Sequence, residues 1–487
     1  MSKQSTVNSQ QSTVNIYSGT TGINIMSQNT NKTKSPPPIF FIIISGLIAF
    51  GAYQFVPGLL KGKSSMSEAM ASRISLGNQI LLTSQTTADK QAGVIAFAKG
   101  DYKEAVQKFQ ASLQKNRNDP ETLIYLNNAF NNAKEGDRTS LTIAVSVPSG
   151  SNPNIAQEIL RGVAQAQDKV NAMGGIKGAG LEVEIVNDNN LPEVAKEVAA
   201  ALTNDPKILA VIGHNDSTAS LAAAPIYQDK GLVMITPTSG ANNLSGFGSY
   251  IFRTVPNTRS MTAPLAEYIV KQVRKTKIAF CYDSQAAGNA SLRDEFIASL
   301  SASGGRLIPI VCDFSAPTFN PNSAIADAVS QGAQGLMIAS HIDRIDRAID
   351  LARANQGKLA LYSSSTLYTF QTLKDGQKDV DGLVLPVPWH PDTNPNNPFP
   401  KNARQRWGGV VNWRTATSFD ATQAIIAGLQ QSNTREGLQQ ALKSPNFSAS
   451  GASEDVRFLP TGDRAGKPIL VQVKLGGSSG YNFVPLR

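Results

Sequence analysis

The segment VNAMGGIKGAGLEVEIVND, residues 170–188, decides the fold of this chain. Upstream of it the apolar residues recur with helical spacing, and that spacing ends at Ala172. Gly174 and Gly175 then stop the helix, because glycine readily adopts the conformation that closes many helices. From Leu181 to Asp188 apolar and polar residues alternate, as in a strand that ends in polar residues. This stretch is therefore the second half of a β-α-β unit.

The first half of the unit precedes this segment. Residues 141–147, LTIAVSV, form an apolar run typical of a buried strand. A loop at residues 148–152 and a helix that carries Gly162 follow it. Strands that alternate with helices in this order predict an α/β protein with parallel sheets.

This order resembles the first unit of the type I periplasmic solute-binding proteins, the family of the bacterial leucine/isoleucine/valine-binding protein. In that family an asparagine, a small residue and a double glycine close the first helix, as Asn171, Ala172, Gly174 and Gly175 would here. The resemblance covers residues 139–487 and implies a two-lobe fold, with two doubly wound parallel sheets joined by hinge crossovers. It places lobe I at about 139–257 and 388–455, and lobe II at about 258–387 and 456–487.

The residues before this region divide into further segments. Residues 1–38 are rich in Ser, Thr, Asn and Gln and lack acidic residues, so we expect a disordered polar tail. Residues 39–60 carry no charge and are long enough to span a bilayer, which predicts a transmembrane helix. A cleaved signal peptide is the alternative. The family resemblance places the residues after about 60 in the periplasm, as part of a single-pass inner-membrane protein.

Residues 66–136 have helical apolar spacing. Within them Gly93, Phe109 and neighbouring small and large residues match the positions at which a tetratricopeptide repeat needs them for two helices to interlock. The match covers about one repeat and the start of a second, whereas a stable stack normally needs about three. We therefore expect a short helical spacer, or a module that docks a protein partner, with little core shared with its neighbour.

Composition and charge exclude several classes of protein. The formal net charge of +9 is spread thinly and forms no basic run, which argues against nucleic-acid binding. Cys281 and Cys312 are the only cysteines, and no CxxC motif or Cys/His cluster offers a metal site. Both lie among apolar strand residues, so we expect buried free thiols, with a disulfide as the alternative. We expect no cofactor and no metal.

Two loops that follow consecutive apolar strands, 208–212 and 232–236, carry the hydroxyl groups of the candidate site. Strand ends at the edge of an open α/β sheet bind ligands, and a helix amino terminus attracts anions. The resemblance implies that these loops hold the carboxylate of a ligand, and the alternative for Ser217 is a simple helix cap. The loops supply these candidates: Asn215, Asp216, Ser217, Thr238, Ser239 and Gly240.

The resemblance adds candidates from the first loop of lobe I and from lobe II: Ser149, Asp283, Ala287, His341 and Ser365. Ser365 stands where the amino-acid receptors of the family carry a glutamate for the ligand's ammonium. A buried ammonium without an acidic partner is unfavourable, so this difference argues against an ordinary α-amino acid. Two alternatives stay open for Asp216, which either replaces the missing carboxylate from the other lobe or serves as a cap or surface residue.

No feature of the sequence supports an enzyme. Residues 476–480 match the G-x-S-x-G pattern, but they follow a strand without leading into a helix, which predicts a turn. Three scattered histidines and no paired carboxylates leave no catalytic set. We therefore expect a binding protein that captures a small polar solute, amino-acid-like, amide or organic acid, for an ABC permease or a membrane sensor. An interaction scaffold, for example a regulator of cell-envelope synthesis, is the alternative.

Overall fold

A computed structural model describes residues 67–134, 140–394, 396–477 and 479–486. These residues belong to one compact unit. The predicted polar tail and the predicted membrane span both lie outside the described residues. The described chain consists of a helical segment, two β-sheets and the helices that cover those sheets.

The helical segment contains α1 (Glu68–Ala71), α2 (Ala88–Ala98), α3 (Tyr102–Lys115) and α4 (Pro120–Ala133). A threonine or aspartate caps the first turn of each of the last three: Thr87, Asp101 and Asp119. A Cβ at Gly93 of α2 would lie 2.6 Å from the ring of Phe109 in α3. The two helices therefore interlock at the residues that the sequence indicates, while the assignment to the tetratricopeptide repeats stays a prediction.

The first sheet contains β1 (Ile74–Ser75), β2 (Ser140–Val147), β3 (Gly180–Asn187), β4 (Ile208–Ile212), β5 (Val233–Thr236) and β6 (Ile251–Arg253). Its strand order is β1-β3-β2-β4-β5-β6, with β1 antiparallel and the other strands parallel. Both faces are buried, because Ile143 and Val145 belong to one apolar core and Ala144 to another. The helices that connect these strands are α5 (Pro153–Ala172), α6 (Pro192–Asn204) and α7 (Ser217–Asp229).

Helix α5 begins and ends where the local sequence requires. Asn152 accepts a hydrogen bond from the Ile155 backbone N–H (3.4 Å), and Pro153 fills the first helical position. Gly174 and Gly175 have φ angles of +95° and +84°, which are strained for residues with a Cβ atom. The predicted β-α-β unit is confirmed, since β2 and β3 flank α5 and pair in parallel.

The helical segment shares its core with the first lobe. Phe109 and Tyr125 belong to the same buried cluster as strand residues of β2 and β3. The side chain of Asn128 in α4 donates to the Val183 carbonyl (2.8 Å) and accepts from the Val183 N–H (3.1 Å). Together with β1, these bonds cover the edge of β3 in place of a longer neighbouring strand. The structure thus differs from the expected spacer with little shared core.

The second sheet contains β7 (Lys277–Tyr282), β8 (Arg306–Ile308), β9 (Gly335–Ala339), β10 (Ala360–Ser363), β11 (Val384–Val387), β12 (Ile469–Leu475) and β13 (Tyr481–Pro485). Its order is β13-β12-β11-β10-β9-β7-β8; β12 pairs antiparallel with both β11 and β13, and the other pairs are parallel. Both sheets are therefore mixed rather than wholly parallel. The helices of this lobe are α8 (Thr258–Glu267), α9 (Ala287–Ala302), α10 (Pro321–Ser330), α11 (Ile345–Asn355) and α12 (Phe370–Gly376).

After β11 the chain returns to lobe I through α13 (Phe399–Trp407), α14 (Trp413–Leu429) and α15 (Arg435–Lys443). Helix α14 crosses α5 at Gly162, where a Cβ would lie 2.2 Å from the Thr415 carbonyl oxygen. Asp463 pairs with Arg253 of β6 (2.5 Å), which attaches the hairpin that follows residue 456 to lobe I. We expected residue 456 onward in lobe II, and this contact favours a boundary after about residue 465.

Cys281 and Cys312 form a disulfide, with their Cα atoms 4.8 Å apart. The expectation of two buried free thiols is therefore wrong. The chain after β8 runs beside β7, and the Tyr282 N–H donates to the Cys312 carbonyl (3.3 Å). This pairing brings the side chains of Cys281 and Cys312 within bonding distance. It depends on the path of the loop after β8 back to the sheet.

The localisation needs a correction. We expected a single-pass inner-membrane protein, but within the described ranges no helix is both long and apolar enough to cross a bilayer. This finding contradicts that localisation, and we withdraw it. The longest helix described, α5, has 20 residues but carries Glu158, Arg161, Asp168 and Lys169, so only one of its faces is apolar.

Candidate functional site

The two lobes enclose a cleft at the carboxyl ends of their strands. Lobe I contributes the loops that follow β4 and β5, and lobe II contributes the loops that follow β9 and β10. The start of α14 and the residues around the end of β11 complete the wall. The candidate residues that line this cleft are Asn215, Asp216, Ser217, Thr238, Gly240, His341 and Ser365. Their contact with a ligand stays a prediction.

The amino terminus of α7 forms part of the lobe I wall. Asp216, rather than Ser217, caps this helix, since its Oδ1 accepts from the N–H groups of Thr218 (2.8 Å) and Ala219 (3.2 Å). Ser217 occupies the first helical position and donates no hydrogen bond to another described side chain or carbonyl. It therefore presents a free hydroxyl to the cleft beside a helix amino terminus, an arrangement that suits an anionic group.

The two hydroxyl loops of lobe I are bonded to each other. The Thr238 hydroxyl donates to the Asn215 carbonyl (2.8 Å), and the Asn215 amide donates to Asn190 Oδ1 (3.1 Å). The carbonyl of Gly240 accepts from the hydroxyl of Thr258 at the start of α8. These bonds hold the loops in fixed positions at the edge of the cleft.

The other candidates lie outside the cleft lining: Ser149, Ser239, Asp283 and Ala287. The Ser239 hydroxyl lies 2.6 Å from the hydroxyl of Ser220, so it joins its loop to α7. Asp283 is fully buried and forms an ion pair with Arg344. Ser149 is buried, and its hydroxyl has no described partner. Sequence position alone did not separate these structural side chains from those that face the cleft.

Direct contacts between the lobes identify the structure as the closed form. His341 Nε2 of lobe II lies 3.1 Å from Asp216 Oδ2 of lobe I. The backbone N–H of Ala287 donates to the hydroxyl of Thr218 across the same gap (3.4 Å). A Cβ at Gly288 would lie 3.0 Å from the Ser217 hydroxyl, so the lobes approach each other as closely as side chains allow.

Asp216 and His341 form an ion pair between the lobes. Burial alone would raise the pKa of Asp216, but the hydrogen bond and charge of His341 outweigh it and hold that pKa below its usual range. Burial would lower the pKa of His341, yet Asp216 reverses this effect and raises it. Since its carboxylate serves both the helix cap and His341, Asp216 is not free to hold a ligand ammonium.

Lobe II presents hydroxyl groups and no carboxylate to the cleft. Ser340, Ser364, Ser365 and Thr366 line it, and the Ser340 hydroxyl is buried without a described partner. Ser365, where the family resemblance leads us to expect a glutamate, thus lies in a wall of hydroxyl groups. Among the described residues that line the cleft, Asp216 is the only acid.

Two residues of α14 that the sequence pattern did not indicate also line the cleft, Trp413 and Arg414. The Trp413 indole N–H donates to the Ser365 carbonyl (3.3 Å), and the Arg414 guanidinium lies over the Trp413 ring at 4.4 Å from its centroid. The available signal was an arginine next to a tryptophan at the start of a helix whose only other charged residue is Asp420. It was weak, because such a residue usually lies on the surface.

His214 belongs to a polar network that is separate from the cleft. Its Nδ1 lies 2.6 Å from Asp188 and its Nε2 lies 3.1 Å from the Tyr227 hydroxyl, and all three side chains are fully buried. The Ser146 hydroxyl donates to the same carboxylate (2.8 Å) rather than to the histidine. The pair resembles a catalytic His–Asp dyad, but the hydroxyl that the imidazole contacts belongs to Tyr227, which is itself fully buried away from the cleft, so the network is structural.

Comparison with known proteins agrees with this geometry. A sequence profile of the family described as periplasmic binding protein matches residues 140–478. The chain belongs to this family. This periplasmic binding protein is 26% identical over 321 residues to the Leu/Ile/Val-binding protein of Escherichia coli K12, an alignment that spans 65% of this chain and 86% of that protein. The family and this relative are both named as binding proteins.

Solved structures share the fold at lower sequence identity. A substrate-binding protein of Desulfitobacterium hafniense in complex with Leu superposes with a TM-score of 0.61 at 21% identity, covering 71% of this chain and 100% of that one. A solute-binding protein of R. palustris in complex with benzoate gives 0.60 at 20% identity, covering 71% and 96%. The same fold therefore holds both a zwitterion and a simple organic anion, so the ligand must be argued from the cleft itself.

Proposed function

We propose that this periplasmic binding protein captures a small carboxylate-bearing solute between its lobes and presents the closed form to an ABC permease. The observation that carries the proposal is the free hydroxyl of Ser217 at the amino terminus of α7, inside a cleft that both lobes close. Asp216 already accepts from the Thr218 and Ala219 N–H groups, so the Ser217 hydroxyl and the partial positive charge of the helix amino terminus are what favour a carboxylate here. Thr238 lines the same wall.

The names of the relatives make leucine, isoleucine and valine the first solutes to test. Three cleft residues argue for a wider panel. Ser365 supplies no carboxylate for an ammonium, and Asp216 is already bonded to His341. Amides and organic acids therefore belong in the panel beside the amino acids.

The proposal is tested by calorimetric titration of the full chain with amino acids, their amides and organic acids. We expect one class to bind, and small-angle X-ray scattering to show a more compact particle on binding, because capture closes the lobes by a hinge motion. A chain that binds none of these compounds, or only amides without a carboxylate, would contradict the proposal.

An interaction scaffold is the second candidate function. It is supported by the helical segment, which shares its buried core with lobe I but leaves Ile95 55% exposed and Phe130 41% exposed. Exposed apolar residues often belong to protein interfaces. A scaffold would keep the same scattering profile with every compound, whereas a solute receptor would not.

A further inference from the structure

We propose that Arg414 is the specificity-determining residue of the cleft and that the ligand is an organic anion, rather than a zwitterionic amino acid, whose carboxylate pairs with this guanidinium. The inference deepens the proposed function and depends on it. It rests on the contacts of Arg414, on the charges that line the cleft, and on the contrast with the other buried cations of the described chain.

Arg414 lies in the first turn of α14, where Asn412 caps the helix by accepting from the Arg414 N–H (2.8 Å). Its side chain is only 4% exposed and lines the cleft. The guanidinium donates one hydrogen bond, from Nη1 to the Tyr368 carbonyl (3.3 Å), and rests on the ring of Trp413. Within the described chain it forms no ion pair with a carboxylate.

Glu158 is the acid whose charge acts on Arg414, but it has other partners. Its carboxylate lies 2.7 Å from Arg161 Nη1 and accepts from the Thr415 hydroxyl (2.5 Å). Burial lowers the pKa of Arg414 to about 10, and Glu158 opposes this only in part. The guanidinium is therefore still a cation at neutral pH, without a counter-ion of its own.

The other buried cations of the described chain are all paired. Lys90 contacts Asp119 and Glu121, Arg253 contacts Asp463, and Arg464 contacts Asp420 at 3.1 Å. A buried charge without a partner is strongly unfavourable, so proteins rarely retain one that does no work. Arg414 is the exception, and it is also the one that faces the cleft.

The charges of the cleft leave room for one negative group. Asp216 is bonded to His341 at 3.1 Å and to the first turn of α7, and Arg414 is the lining cation that no described carboxylate contacts. A monoanionic ligand would balance it. A zwitterion would bring an ammonium into a wall that offers no free carboxylate, which is unfavourable. A guanidinium also matches a carboxylate in shape, because its planar N–H groups can donate two parallel hydrogen bonds.

The test uses the full chain and compounds that share one carbon skeleton but differ in charge: isocaproate, leucine and isocaproamide, with matching trios built on propionate and on phenylacetate. Calorimetry measures each affinity. We expect a carboxylate of one trio to bind at least about 10-fold tighter than its amino acid and its amide, as for a lost charged hydrogen bond. Amino acids that bind as tightly as their des-amino acids would overturn the inference but leave the proposed function standing. If no compound binds, both fail.

Variants separate recognition from folding. We expect Arg414→Met to abolish the preference for the carboxylate over the amide, and Arg414→Lys to retain part of it, because Lys keeps the charge but not the planar donors. Arg259→Met is the matched control: it removes the same charge from a 75% exposed side chain outside the cleft, and should leave the preference unchanged.

Ligand-free melting gives an independent readout. Because Arg414 has no counter-ion without ligand, Arg414→Met should melt at a temperature no lower than that of the wild-type protein. A lower melting temperature, or failure to fold, would make Arg414 a structural residue and overturn the inference. An unchanged preference for the carboxylate in Arg414→Met would overturn it as well.

Discussion

The core of the helical segment and the cleft each bury a cation, and the two cations have opposite surroundings. Lys90 is fully buried and lies 2.8 Å from Asp119 and 2.7 Å from Glu121. Burial would lower the pKa of Lys90, but the two carboxylates outweigh it and raise that pKa. Burial does lower the pKa of Arg414, to about 10, because no carboxylate pairs with it.

The contrast distinguishes structural polar groups from those that await a ligand. Around Lys90 every charged group has a partner inside the protein, as expected where the only task is to hold α2 and α4 together. In the cleft the hydroxyl of Ser217 and the guanidinium of Arg414 keep unused donors. Unpaired donors in a closed cleft are unfavourable until another molecule accepts from them, which is what a binding site requires.

The largest expected effect comes from removing Lys90, the buried cation that has carboxylate partners. Lys90→Met should lower the free energy of unfolding by about 3–5 kcal/mol, because it leaves the carboxylates of Asp119 and Glu121 buried together without a cation. Urea denaturation followed by circular dichroism measures this loss. Lys115→Met removes a 67% exposed partner of Asp89 and should change stability by less than about 1 kcal/mol. Equal losses for the two variants would refute the structural role of Lys90.

The disulfide of lobe II is a second contact with a purely structural role. Replacing both Cys281 and Cys312 by Ala should lower the free energy of unfolding by about 2–4 kcal/mol, since the link closes a loop with a sequence separation of 31. Thermal unfolding with and without a reducing agent checks it: the wild-type protein should lose stability on reduction, and the double variant should not. A wild-type protein indifferent to reduction would mean that the bond does not stabilise the fold.

Two serines repeat the comparison within one wall of the cleft. Ser217→Ala should weaken ligand binding by about 1–3 kcal/mol and scarcely alter stability, because its hydroxyl has no protein acceptor to lose. Ser239→Val should do the reverse, because its hydroxyl is bonded to Ser220 and to the His214 carbonyl (3.2 Å). Titration with the tightest compound of the panel, together with thermal melts, measures both quantities. Reduced stability and unchanged affinity in Ser217→Ala would return it to a structural role.

The smallest effect concerns the ion pair between the lobes. Because the pKa of His341 is raised, its ion pair stabilises the contact between the lobes fully below about pH 6.5. That stabilisation is lost as the pH rises through the pKa of His341 in the folded protein. Because the pKa of Asp216 is lowered, its carboxylate stabilises the same contact above about pH 4. That stabilisation is lost as the pH falls through the pKa of Asp216 in the folded protein. Asp343 and Asp283 also act on the imidazole and raise its pKa further.

Closure should therefore be strongest between about pH 4 and pH 6.5 and weaker at higher pH, by less than about 1 kcal/mol. Small-angle scattering of the unliganded chain across this range measures it. His341→Gln should remove the weakening of closure at high pH. Asp343→Asn should only shift the pH at which closure is half weakened. A pH profile that survives His341→Gln would assign it to another group.

Much of the fold follows from local sequence signals. The end of α5 at Ala172 depends on Gly174 and Gly175, and the strand at 208–212 depends on its own apolar run. The start of α7 at Ser217 depends on the cap that Asp216 supplies. Signals of this kind act within one turn of chain, so a sequence displays them directly.

The candidate site was predicted only in part. Loops at strand ends could be recognised, because parallel strands deliver them to one edge of a sheet. Whether Ser217 or Ser239 faces the cleft depends on the side chains of α7 that bond to them. Arg414 matters because no described carboxylate pairs with it, and a sequence pattern does not show which charges are paired. The disulfide was also missed, since its two cysteines meet only after β8 returns to β7.

The sequence by itself determined the β-α-β order, the helix ends and the family, because these depend on neighbours along the chain. The tertiary structure decided which polar groups are paired: Asp216 with His341 across the lobes, Lys90 with Asp119 and Glu121, and Arg414 with no carboxylate. The physical reason is that the energy of a buried charge depends on the groups within a few ångströms of it, and those groups come from distant parts of the chain.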